Sequence, residues 1–137
     1  MEILEFKQRL DILNSDDELF GKQLSNLKKL YEIKDFDRIS DLINEKRGLI
    51  IILNEVRPLL DKYVPYACFH LELDVDPLFT PQILLMVEAS KKDFNNGFKE
   101  DIYQINSIIS PFLLEFDLVC EFFIFERSIR VPKSNVN

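Results

Sequence analysis

The chain has 137 residues, 47% of them hydrophobic and 30% charged, a composition that suits one folded domain and argues against a disordered tail or a membrane-embedded protein. Seventeen Lys and Arg face 24 Asp and Glu, and the formal charge of -7 argues against the basic footprint that gives sequence-independent nucleic-acid binding its affinity, and against anionic membranes.

The opening MEILEFKQRL has neither the basic start nor the apolar run of a secretory signal. The stretches Gly48 to Leu53 and Ile83 to Val87 are far shorter than the ~20 apolar residues that cross a bilayer, so a cytoplasmic chain without membrane contact is expected. Ile3, Phe6, Leu10, Leu13, Phe20, Leu24, Leu27 and Tyr31 fall on alternating three and four spacing, with Asp17 off the pattern, which predicts a long amphipathic helix. A break is expected at Asn14-Ser15, because Ser15 and Glu18 have capping-box spacing. Phe36, Ile39, Ile43, Ile50, Leu53 and Leu60 repeat the seam, Lys46 and Arg57 interrupt it, and Pro58 is expected to kink or restart the helix. Residues 1–62 are therefore expected to form an antiparallel, coiled-coil-like helical hairpin.

Past Tyr63-Val64-Pro65 the period changes to two. Ala67, Phe69, Leu71, Leu73 and Val75 alternate with Cys68, His70, Glu72, Asp74 and Asp76, which predicts a strand with one apolar and one acidic face. Gln82 to Ala89 is expected to be a second strand, Asp93 to Gly97 a turn, Phe98 to Phe112 a helix and Leu114 to Glu126 a long third strand. The overall expectation is an α+β fold in which residues 66–128 form a ββαβ unit with a three-stranded antiparallel sheet and residues 129–137 a loose polar tail. Cys68 is placed on the acidic face and Cys120 on the apolar one, so buried free thiols are expected rather than a disulfide.

Chemistry concentrates on His70, Glu72, Asp74 and Asp76, which project the same way about 6 to 7 Å apart. Asp117 and Glu121 are expected on the corresponding side of the last strand. Such a row could hold Mg²⁺ or Mn²⁺, which prefer oxygen ligands. Two carboxylates at alternate positions of one strand with a third on another is similar to the arrangement with which minimal nucleotidyltransferases hold catalytic metals, and implies a metal-dependent phosphoryl- or nucleotidyl-transfer activity centred on Glu72, Asp74, Asp76 and Asp117. The resemblance is confined to those residues, because the helix-borne Gly-Ser motif of that family has no counterpart before His70. The plain alternative is that the charges are the solvated face of a half-covered sheet. One histidine can build neither a catalytic triad nor a two-histidine zinc site, and no serine stands in a nucleophile elbow.

Residues 66–126 hold eleven acidic side chains against Lys91, Lys92 and Lys99, so the charge is localised and can steer a basic protein partner. Leu84, Met86, Val119, Phe123 and Phe125 share the acidic side and call for a cover, either the hairpin or a second subunit of a homodimer. The leading expectation is a non-catalytic interaction or regulatory protein that needs no cofactor and binds a protein through His70, Glu72, Asp74, Asp76, Asp117 and Glu121 or through the hairpin. The metal-dependent enzyme is the alternative.

Overall fold

The computed structural model describes residues 1–76, 78 and 80–130. Its elements run α1 (Ile3–Ser15), α2 (Asp17–Leu30), β1 (Glu32–Ile33), α3 (Phe36–Glu45), α4 (Gly48–Tyr63), β2 (Cys68–Asp74), β3 (Gln82–Ser90), the single turn α5 (Lys91–Asp93), a π turn over Phe94–Phe98, α6 (Lys99–Glu115) and β4 (Phe122–Ile129). The α+β class and the order of helices before strands are as expected. The sheet is not: among the described residues it has four strands in the order β1-β2-β3-β4 and is mixed, with β2 and β3 antiparallel and both outer pairs parallel.

Connections explain the mixture. Only a short loop separates β2 from β3, so they pair as a hairpin, whereas α6 carries the chain back across the sheet and β4 must return parallel to β3. α3 and α4 likewise form a crossover between β1 and β2. β1 spans two residues, too few for period-two alternation to register in the sequence.

Where two long arms were expected, the chain makes four helices. The first break falls one residue later than the capping-box spacing implied: the Asp16 carboxylate caps α2 by accepting from Leu19 N–H at 2.9 Å, while the Ser15 hydroxyl donates back to the Asp11 and Ile12 carbonyls. The second break, at Lys46-Arg47, allows a close approach, since a Cβ on Gly48 would lie 3.2 Å from Leu118 Cδ1 and 3.5 Å from the Phe6 ring. Pro58 stands inside α4 and cannot donate to Asn54; beside that gap the Tyr31 hydroxyl donates to the Leu53 carbonyl and Arg57 donates to that of Leu30.

Five consecutive residues of α4, Leu49 to Leu53, are buried, so the first half of this helix is buried on every side and is the centre of the core, not one edge of a coiled coil. Its neighbours are α1, α2 and α3 on the helical side and α6 beside it. Leu71, Ile83, Leu85, Val87, Phe122 and Ile124 meet this layer from one face of the sheet, and the buried residues from Phe6 to Ile124 make one continuous cluster.

The last strand begins eight residues later than expected. α6 continues to Glu115 and closes with Asp117 in the left-handed region (φ 55°) and the Leu118 N–H on the Leu113 carbonyl at 2.9 Å, the geometry of a Schellman cap. That position usually holds glycine. The alternation of Leu114 to Cys120 is therefore helix end and turn. Cys68 and Cys120 are both free and exposed, so the expected burial of the thiols is not observed. β4 runs to Ile129, three residues beyond the expected end at Glu126 and onto the first residue of the expected tail, and residues 131–137 of that tail lie outside the described residues. No helix among the described residues is long and apolar enough to cross a membrane.

Candidate functional site

The helices pack on one face of the sheet, and the other face carries His70, Glu72 and Asp74. Pairing sets its rows: Glu32, His70, Met86 and Phe125 lie side by side across the four strands, with Glu72, Leu84 and Phe123 in the next row and Cys68, Glu88 and Arg127 in the row on the other side. Asp74 and Gln82 end the face.

A chain of charges crosses it. Lys34 Nζ lies 3.0 Å from Glu72 Oε1, which is 3.2 Å from His70 Nε2; His70 Nδ1 is 3.5 Å from Glu88 Oε1, and the other oxygen of Glu88 accepts from Arg127 Nε at 2.9 Å and from its Nη2. His70 is nearly buried at 8% exposure, and its Nε2 makes no aligned hydrogen bond despite its nearness to Glu72. The histidine is thus held between two carboxylates, each tied to an outside cation. The Lys34 hydrogen bond, and after it His70, holds the Glu72 carboxyl below its usual range against the opposing effect of burial. A lowered folded value stabilises the protein above about pH 4.5 and is lost as pH falls through that folded value. With a third of the side chain exposed, solvent screens the pair, so Glu72→Gln should lower the melting temperature by only about 1 to 3 °C near neutral pH and by nothing in strong acid, as circular dichroism melts would read.

The expected six-residue site divides. His70, Glu72 and Asp74 share the open face, and Asp76 follows just beyond the strand, where Asp74, Asp76, Thr80, Gln82, Val119 and Cys120 line a shallow cleft of about 550 Å³. Asp117 and Glu121 are elsewhere, since neither is in β4: Asp117 caps α6 and Glu121 precedes the strand, and both bind Lys46 Nζ, at 3.3 and 3.0 Å. Their removal separates the carboxylates of the nucleotidyltransferase-like pattern. Among the described residues no three His, Cys, Asp or Glu side chains converge as metal ligands would.

Lys34, Glu88 and Arg127 belong to the site and were missed. Glu88 has the parity of the acidic face, but Lys34 follows a strand too short to recognise and Arg127 lay past the expected end of β4. Leu84, Met86, Phe123 and Phe125 share the open face as expected, whereas Val119 lies in the turn before β4. Phe123 is 51% exposed and Phe125 42%, while Met86 is covered to 5% by its neighbours. The face therefore grades from carboxylates on β1 and β2 (Glu32, Glu72, Asp74) to exposed aromatic rings on β4. Three cations lie at a different corner, where Lys91, Lys92 and Arg130 line an open pocket at the ends of β3 and β4.

No protein-family model matches the chain, and neither curated proteins nor solved structures yield a significant match.

Proposed function

We propose that the protein is a non-catalytic, cytoplasmic interaction or regulatory protein that docks a protein partner on the open face of its sheet. The observation that carries this reading is the uncovered aromatic strip, Phe123 and Phe125 beside half-buried Leu84, on a sheet whose parallel pairs would ordinarily be covered on both sides. Aromatic rings with a nearby charged rim are the composition of an interface centre. The carboxylates of Glu32, Asp74 and Asp76 have no ion-pair partner among the described residues, so the complementary surface is an apolar patch bordered by Lys or Arg.

Partners captured from the native host by the wild-type chain should be lost by Phe123→Ser. Burial of one ring is worth ~2 kcal/mol, so a purified partner should bind at least tenfold more weakly to that variant. Glu32→Gln with Asp74→Asn should leave the dissociation rate nearly unchanged while slowing association at low salt. A partner that binds the Phe123→Ser chain as tightly as the wild type does not use this face.

A further inference from the structure

β4 is one of the two outer strands of the sheet, and among the described residues nothing pairs with its far side. The direction of each backbone group along it follows from one bond. Ile83 N–H donates to the Glu121 carbonyl at 2.8 Å, and in a parallel ladder alternate residues turn both groups toward the same neighbour. Phe123, Phe125 and Arg127 therefore bond to β3, while Phe122, Ile124, Glu126 and Ser128 present N–H and C=O to the free edge. Neither lysine nor proline blunts this edge, and no bulge interrupts its register with β3 from Phe122 to Ile129.

We propose that this edge pairs with the β4 of a second copy of the chain, joining two sheets into one. A two-fold dimer cannot do this in parallel, since equivalent residues would then meet donor to donor; it must be antiparallel, with the axis perpendicular to the sheet. One register stands out. Placing Phe125 on the axis sets Ile124 opposite the partner's Glu126 and Phe122 opposite the partner's Ser128, which satisfies every outward group from Phe122 to Ser128. On the open face Phe125 then meets its own mate in the close, non-hydrogen-bonded position, and Arg127 stands opposite the partner's Phe123, within reach of a cation–π contact. Shifting the axis to Glu126 would instead oppose two like charges. The chosen register also puts both open faces on the same side, so the aromatic strips merge at the centre of the joined sheet. It goes beyond the proposed function, because the edge pairs whether or not a partner occupies the face.

Sedimentation equilibrium over a range of micromolar concentrations tests the proposal. The wild-type chain should populate a reversible dimer. Glu126→Pro removes an outward N–H and no bond within the sheet, so it should shift the mass to that of the monomer while leaving the far-ultraviolet spectrum unchanged. Should Glu126→Pro fail to fold, cross-linking decides: in a Cys68→Ser, Cys120→Ser background, Phe125→Cys should form a disulfide dimer under mild oxidation, and Phe123→Cys alone should not. A monomer at every concentration, a dimer that survives a folded Glu126→Pro, or no preference for cross-linking at residue 125 would each overturn it. Failure here is separable from failure of the docking surface, since Glu126→Pro leaves the face intact and should still bind its partner.

Discussion

Phe6→Ala should reduce unfolding free energy by about 3 to 5 kcal/mol, the cost of emptying a fully buried aromatic site. The ring is 0% exposed, stacks on Phe116 at 4.2 Å and on Phe112 at 5.5 Å, and lies against Gly48 at the start of α4. It joins α1 to the end of the α4–α6 layer where α4 starts and α6 finishes. Only Leu13 accompanies it as a buried residue of α1, so the loss should loosen that helix before the rest of the protein. Urea unfolding would read the total cost, and hydrogen exchange would place the first lost protection in α1. Leu4→Ala, on the same helix but 62% exposed, should change stability by less than about 0.5 kcal/mol. Equal effects of the two substitutions would mean that the contacts of Phe6 do not anchor α1.

How far the sequence could be read depends on whether a residue's role is local. Period two from Ala67 to Val75 and the apolar run from Gln82 identified β2 and β3 closely, because burial of one or both faces writes itself into alternation. The helical seam likewise marked the buried residues Phe6, Leu13, Phe20, Leu27, Ile39 and Ile43. It failed at Gly48, where the break serves a contact with Leu118, seventy positions away, and no local pattern carries that information. The seam's charged interruptions had the same origin: Lys46 reaches the turn before β4, and Arg57 closes the end of α2 and lies over the Phe69 ring. Leu114 to Cys120 misled for a different reason. Its alternation fits a strand and a helix terminus alike, and the terminus is closed by Asp117 in place of the glycine that would have marked it. That one boundary moved Asp117 and Glu121 out of the acidic face and brought Arg127 into it. The nearly buried His70 was legible as a position, but not its two carboxylate neighbours, since Glu88 reaches it only across the sheet.

Lys46→Met should cost about 2 to 3 kcal/mol, more than its half-exposed position suggests, because the damage falls on what it leaves behind. Glu121 is 8% exposed, one of its oxygens already lacks a hydrogen-bond partner, and the Lys46 ammonium is the cation on the other. The same ammonium donates to the Asp117 carbonyl at 2.8 Å, so it also holds the turn that closes α6. The Glu121 hydrogen bond, with Asp117 after it, raises the Lys46 pKa above its ordinary 10.5. A raised folded value gives stability that is complete below 10.5 and lost as pH climbs through the folded value, so the gap between wild type and variant should persist through neutral pH and close only in strong alkali. Adding Glu121→Gln should recover part of the loss in a double-mutant cycle read by urea unfolding, since it removes the stranded charge. A full loss in the double variant would assign the stability to the Asp117 turn instead. In either case this lysine holds the turn between α6 and β4, and hence where on the open face Phe123 and Phe125 are presented.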